Sequence, residues 1–344
     1  IIGNPPYQVT VAKKDTDNGQ KRSSNIFQHF QLLADKLAPR FSSLIYPAGR
    51  WIHRSGKGLA DFGYNQINDK RLCRLHFFPD STDIFQDVGI ADGLSIVFMD
   101  NAKKKEGFIY VYSKGGKTME IAMPNPGYTL MALDPMAEQI SQKIQAVVGE
   151  RFDYISNAVL SQKLFSIESD FVEKNPTLVR PYQEGITLGK DEIKLFANDK
   201  AGKAGRTSWY VAHKSVIKTG LDYLYRWKVV VSSANAGGQK RSNQIAVLDN
   251  RSAFGRSRVA LKTFETEQEA RNFYTYCQTD FIRYAFLLTD EALTSLGKLV
   301  PDLLDYTSNN GIIDYAQDVN AQLYRLFGID ATMQAIIEQT LSER

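Results

Sequence analysis

Histidine and cysteine are scarce: four of the first and two of the second, Cys73 and Cys277, in 344 residues. Two distant cysteines make no disulfide framework, and four scattered histidines make no zinc-binding set. Neither a disulfide-stapled secreted module nor a metal centre is therefore expected. No uninterrupted run of eighteen apolar residues occurs and no signal-peptide pattern opens the chain, so no membrane association is expected and a reducing cytoplasm fits. Internal repeats and low-complexity tracts are also missing. So is an initiating methionine: the chain opens inside what reads as a central strand, as expected of a piece of something longer.

What remains is ample for folding. Apolar residues make up 43% of the chain, and this length suggests two domains, or one plus a large appendage. The net charge of +4 hides an asymmetry. Between Lys190 and Lys262 there are fifteen Lys/Arg against five Asp/Glu, and from Thr263 to Arg344 five against thirteen. A basic block followed by an acidic one points to a polyanion-binding face.

The opening stretch, Ile1-Ile2-Gly3-Asn4-Pro5-Pro6-Tyr7, carries the most chemistry. Two β-branched residues read as the end of a buried strand. Pro5 and Pro6 then hold the residues before them in extended geometry. Asn4 presents an amide with an acceptor oxygen, Pro5 a carbonyl of nearly fixed direction, and Tyr7 a flat ring. Two acceptors beside a stacking face can hold an exocyclic amino group on a planar base. A simple proline turn after a strand is the plainer reading of the same residues.

Asn4-Pro5-Pro6-Tyr7 resembles the catalytic motif of the amino-group DNA methyltransferases, in the form found in adenine-N6 enzymes of bacterial restriction–modification systems. The resemblance implies an α/β fold: the C-terminal portion of a Rossmann-like methyltransferase sheet, with parallel strands and an antiparallel hairpin. A mixed α+β target-recognition domain would follow. Ala48-Gly49-Arg50-Trp51 and Gly56-Lys57-Gly58 match the segment after the next parallel strand. Asp83-Ile84-Phe85 and Gly93-Leu94-Ser95 match the connection in the closing hairpin, where Phe85 would lie against an extruded base with Tyr7; a core phenylalanine is the plainer reading of the same residue. Further phrases keep the family's order, among them Arg226-Trp227-Lys228-Val229, Phe264 to Ala270 and Val300-Pro301-Asp302.

Several elements are readable directly. Gln8 to Ser23 is polar and reads as a mobile loop. Asn25 could cap a helix with Ile26, Phe27, Phe30, Leu33, Ala34 and Leu37 on its apolar face; Phe41 to Tyr46 is a strand, completing a βαβ unit. Strands are expected at Arg71–Phe78, Leu94–Met99 and on both sides of Gly115-Gly116. Helices are expected at Asp134–Val147, from Thr266 through Leu288 in one run, and in two pieces near the end. The charged stretch after Asp100 reads as a linker, dividing the chain into 1–105, the catalytic-motif half, and 106–344, the DNA target-recognition region with C-terminal helices.

The resemblance further implies methyl transfer to N6 of a flipped adenine, with double-stranded DNA as partner and a fused or separate restriction endonuclease alongside. Asn4, Pro5, Pro6 and Tyr7 would hold the base. Lys200, Lys203, Arg206, Lys240, Arg241, Arg251, Arg256 and Arg258 would contact phosphates, since backbone contacts need clustered cations. Asn235, Gln239, Asn243 and Gln244 could read base edges. The S-adenosylmethionine-binding residues are expected upstream of Ile1, because Gly56-Lys57-Gly58, Gly115-Gly116 and Gly237-Gly238 are isolated turns rather than a strand–glycine loop–helix unit. This segment alone is then expected to be inactive. Glu192-Ile193-Lys194 has no Pro-Asp in the order a metal-dependent nuclease requires. The alternative functions are a non-catalytic DNA-binding specificity module, or methylation of RNA or protein.

Overall fold

The computed structural model describes residues 1–11, 22–56, 58–198, 207–233, 245–289 and 293–342. The chain divides into two compact units, Ile1–Gln139 and Ile140–Arg344.

The first unit contains β1 (Ile2–Gly3), β2 (Gln8–Val11), β3 (Arg22–Asn25), α1 (Phe27–Leu37), β4 (Phe41–Pro47), α2 (Gly49–Ile52), α3 (Ala60–Asn68), β5 (Leu72–Phe78), β6 (Leu94–Asp100), β7 (Phe108–Lys114) and β8 (Lys117–Met123). Six of these form one sheet in the order β1-β4-β6-β5-β7-β8. β1 runs parallel to β4 and β5 parallel to β7, while β6 is antiparallel to both its neighbours. Strands β1, β4, β5 and β7 therefore all point the same way. This is the expected mixed α/β sheet.

Two expectations change here. The polar stretch after Tyr7 is not simply a loop: β2 and β3 pair antiparallel, Gln8 opposite Asn25 through Val11 opposite Arg22. The alternation of Gln8-Val9-Thr10-Val11 suffices for pairing once the chain doubles back. The unit also does not end near residue 105. β7 and β8 add to the same sheet and meet at a tight turn where Gly115 and Gly116 have φ of +56° and +75°. That conformation suits a two-residue hairpin and is natural to glycine.

Helix α1 is apolar on two sides. Phe27, Gln28, Gln31 and Ala34 are buried, whereas Phe30, Leu33 and Leu37 are 38%, 52% and 63% exposed. The apolar face drawn from periodicity is thus rotated outward. Asn25 lies at the end of β3, and Ile26 occupies the cap position with no side-chain cap bond. Gln31 is fully buried because its amide completes a polar thread through the core. It accepts from the Tyr46 hydroxyl at 3.2 Å and donates to Asp35 at 3.1 Å. Around the thread pack the rings of Phe27, Tyr46, Trp51 and Phe62, with centroids 5.1 to 6.4 Å apart. Gly63 lets α3 approach α2: a Cβ there would lie 1.9 Å from the Trp51 carbonyl oxygen.

Helix α4 (Pro135–Arg151) contains the division between the units. The second unit continues with β9 (Asp153–Tyr154), α5 (Phe171–Lys174), β10 (Val179–Pro181), β11 (Glu192–Asn198), β12 (Thr207–His213), α6 (Leu221–Leu224), β13 (Trp227–Ser232), β14 (Ile245–Leu248), β15 (Ser252–Phe254), β16 (Arg258–Phe264), α7 (Glu267–Gln278), α8 (Asp280–Leu287), β17 (Pro301–Asp302), α9 (Val319–Phe327) and α10 (Ala331–Ser342). Two sheets, β10-β12-β11-β15 and β14-β13-β16, and a β17-β9 pair make it the expected mixed α+β region.

The helix expected from Thr266 through Leu288 is two helices. Thr266 and Glu269 form the expected capping box on α7. Thr279 then adopts extended geometry and its hydroxyl accepts from the Ile282 amide, capping α8 anew. A threonine oxygen offered to free amides competes with continuing the helix.

Two lysines, Lys228 buried and Lys262 partly buried, organise this unit. Lys228 on β13 is fully buried, and its ammonium donates to the carbonyls of Tyr223, Leu224, Arg226 and Asp249 at 3.0, 3.1, 2.5 and 3.2 Å. Lys262 on β16 donates to both carboxylate oxygens of Asp302 at 2.7 and 2.5 Å, with Asp302 2% exposed. The Tyr306 hydroxyl and the Leu304 amide also donate to Asp302, each at 3.0 Å. No helix among the described residues is long and apolar enough to cross a membrane.

Candidate active site

Because β1, β4, β5 and β7 share a direction, their carboxyl ends lie along one edge of the sheet, the edge where open α/β sheets place their ligands. The Asn4–Tyr7 motif follows β1 there, Ala48–Trp51 follows β4, and the connection carrying Phe85 follows β5. The prolines explain the abrupt end of β1: neither Pro5 nor Pro6 has an N–H to continue the ladder.

Asn4 and Pro6 are exposed, and Pro5 and Tyr7 are half-buried. The Tyr7 ring packs against the aromatic core, and its carbonyl accepts from the Ile26 amide at 3.0 Å, tying the motif to the start of α1. The Tyr7 hydroxyl is buried with no hydrogen-bond partner among the described residues, and burial pushes its pKa up. The motif is therefore anchored through Tyr7 while the Asn4 amide faces outward.

The neighbouring segments are clamped. Ala48 and Gly49 donate their amides to the carbonyls of Gly93 and Asp92 at 3.3 and 2.8 Å, and Arg50 pairs with Asp92 at 3.1 Å. Gly93 has φ of +63°, and a Cβ there would come within 2.4 Å of the Phe78 carbonyl oxygen. Buried Ser81 holds the intervening turn, donating to the Val88 carbonyl at 2.6 Å and accepting from Ile90 at 2.7 Å. The Arg50–Asp92 pair and Ser81 had no signal in the sequence beyond the glycines at either end, which mark close backbone approach.

Phe85 is half-buried on this connection, and among the described residues no ring pair joins it to Tyr7. β4 and β6 separate β1 from β5 in the sheet, a span of roughly 14 Å at ordinary strand spacing. An open cavity of about 410 Å³ beside the connection is lined by Pro79, Asp80, Ser81, Gly89, Ile90, Ala91 and Lys114, not by the motif.

The expected phosphate contacts fare unevenly. Lys200, Lys203, Arg206, Lys240 and Arg241 lie outside the described residues, as do Asn235, Gln239, Asn243, Gln244, Lys57 and the Gly237-Gly238 turn. Arg251 is spent on the carbonyls of Gly189 and Glu192, and Arg256 pairs with Glu168 at 2.8 Å. Arg258 is 4% exposed, lies over the Phe196 ring, and donates to Thr207; burial lowers its pKa to about 10. That burial removes Arg258 from any phosphate-contacting surface. Glu192 and Lys194 pair with Arg180 and Asp249, and no group of three His, Cys, Asp or Glu side chains that could hold a metal occurs among the described residues.

Residues 1–85 match the model of a family described as "Eco57I restriction-modification methylase". This N-terminal segment is thus similar to restriction–modification methylases. A 122-residue stretch is 32% identical to an uncharacterized adenine-specific methylase of Mycoplasma pneumoniae, covering 35% of this chain and 28% of that protein. Similarity extends to solved restriction–modification enzymes at low identity. The type IIL enzyme MmeI in complex with DNA has a TM-score of 0.39 at 9% identity, over 92% of this chain and 51% of that one. The type IIG endonuclease BpuSI has a TM-score of 0.31 at 8% identity, over 87% and 46%. The chain thus spans about a quarter of its curated methylase relative and about half of these enzymes.

Proposed function

We propose that this chain is the amine-holding and DNA-recognising part of an adenine-N6 DNA methyltransferase in a bacterial restriction–modification system, working in the cytoplasm. The observation that carries the proposal is the motif's geometry: Asn4 exposed at the carboxyl end of β1, beside a Tyr7 ring anchored in the core. A duplex hides the adenine amino group, so the base must leave the stack at a cost of a few kcal/mol. Stacking on Tyr7, and on Phe85 if the connection closes over the site, would return roughly 1–3 kcal/mol per ring. The Asn4 side-chain oxygen and the Pro5 carbonyl would each accept one N6 hydrogen. Two acceptors so placed draw the nitrogen toward tetrahedral geometry and localise its lone pair for attack.

S-adenosylmethionine would supply the methyl group, but the residues described do not fit it. Gly58, Gly115 and Gly116 bracket open turns with nothing within 4 Å of a Cβ position, rather than cradling a ligand at a helix start. In this proposal the cofactor half lies upstream of Ile1. Edge strand β1, with Ile2 91% exposed, and the outward apolar stripe of α1 support that arrangement, since both are surfaces for further sheet and helix to cover.

For the second unit the proposal is duplex DNA recognition. Lys200, Lys203 and Arg206 fall between the antiparallel strands β11 and β12, and Lys240 and Arg241 between β13 and β14. An endonuclease, fused or separate, belongs to the same proposal.

The test is methylation of duplex DNA by the chain joined to the sequence preceding Ile1, with and without Asn4→Ala. Loss of at least 100-fold in rate with DNA binding retained is expected. Unchanged methylation would remove the catalytic assignment and leave the non-catalytic specificity module.

A further inference from the structure

The face of the β10-β12-β11 sheet carries an open cavity of about 790 Å³, lying wholly in the second unit. Its lining includes Tyr182, Glu184, Lys194 and Trp209. Trp209 and Phe196 are directly opposite on β12 and β11, so their rings rise from the same face, stacked at 4.6 Å and 29°. Tyr182, whose amide donates to the Trp209 carbonyl, places a third ring 6.5 Å from Trp209. Phe196 is buried against Trp209 with Arg258 over its ring, so Tyr182 and Trp209 are the partly exposed pair, and two adjoining rings on a partly open sheet face form a surface on which planar groups stack.

The charges narrow the occupant. The Lys194 ammonium lies 5.6 Å from the Tyr182 ring centre and 5.8 Å from that of Trp209, so the cation that such rings attract is supplied by the chain itself. A ligand cation would meet like charge. Lys194 is in turn paired with Asp249, leaving little positive charge to hold a phosphate. At the rim Glu184 is exposed, and a carboxylate only accepts hydrogen bonds at neutral pH. The match is a neutral planar ring with an amino edge.

We infer that this cavity takes an unstacked nucleobase of DNA, stacked on Trp209 and Tyr182, with Glu184 accepting from the amino group of cytosine or adenine. It is a second base-holding site, separate from Asn4–Tyr7, and it rests on the proposal that the chain acts on DNA. Thymine, which presents carbonyl oxygens in place of an amino group, is disfavoured there.

The probes are dC6, dA6, dT6 and the RNA hexamer rC6, titrated against the 344-residue chain by Trp fluorescence and by anisotropy of labelled oligonucleotides. Quenching by dC6 and dA6 is expected, with dT6 binding several-fold more weakly. Trp209→Leu is expected to abolish the quench and to weaken dC6 roughly tenfold or more. Because that change disturbs the Phe196 stack, exposed Glu184→Gln is the second variant, expected to bring dT6 close to dC6 without altering the circular dichroism. No quench with any DNA hexamer, equal affinities for dC6 and dT6, or tighter binding of rC6 than dC6 would overturn the inference. Methylation is not read in this experiment. Methylation by the extended chain of the earlier test with no hexamer binding would sink the cavity alone, and hexamer binding with no methylation by that extended chain would sink the catalytic reading alone.

Discussion

Replacing Lys262 by methionine isolates one buried charge. Asp302 is 2% exposed, and its carboxylate accepts from Lys262, Tyr306 and Leu304. Methionine fills much of the lysine volume but leaves the carboxylate without a counter-ion. Breaking a buried pair from one side costs about 3–5 kcal/mol. Two neutral donors remain on Asp302, which puts the expected loss at the lower end, about 3 kcal/mol. Adding Asp302→Asn removes the charge and keeps an acceptor for Tyr306 and Leu304. The double variant is therefore expected to recover at least about 1 kcal/mol of the loss. Because two units need not unfold together, the assay is hydrogen exchange of peptides covering 258–264 and 300–306 as a function of urea. A loss below about 1 kcal/mol for Lys262→Met, or a double variant less stable than the single, would refute the argument.

Tyr7→Phe deletes a buried hydroxyl that has no partner among the described residues. It is expected to stabilise the first unit by about 1 kcal/mol in urea unfolding while keeping the stacking face, and clear destabilisation would reveal a hidden partner. Burial lowers the Lys228 pKa to about 7, below its unfolded value, so the unfolded chain binds more protons between that pH and about 10. Stability of the second unit is accordingly expected to rise from pH 7 to 9, and Lys228→Met to flatten that rise. An identical pH profile in both proteins would contradict it. Thr279→Ala, which removes the cap of α8, is expected to cost about 1 kcal/mol by the same exchange assay.

Much of the fold is legible in the sequence where local chemistry and burial agree. The strand, helix and strand around α1, the Gly115–Gly116 hairpin and the Thr266–Glu269 capping box need no distant information. The apolar face of α1 misleads because the helix has two such faces, and periodicity cannot tell which one meets this core. The break at Thr279 is hidden because the apolar spacing continues across it. Charge counting misjudges the basic block for a related reason. It cannot distinguish Lys228, Arg251 and Arg258, which serve the fold, from cations that face water. The motif itself was readable because prolines impose geometry wherever they stand. The clamp of Arg50 on Asp92 was not, since nothing local links residues that far apart.

The four carbonyls around Lys228 make the kind of oxygen nest that elsewhere holds a bound metal ion, filled here by a side chain. A tethered ion of this sort cannot be chelated away, exchanged for a competitor or diluted out. The chain around it should therefore be indifferent to chelators and competing cations, and vulnerable only to the loss of that one amino acid.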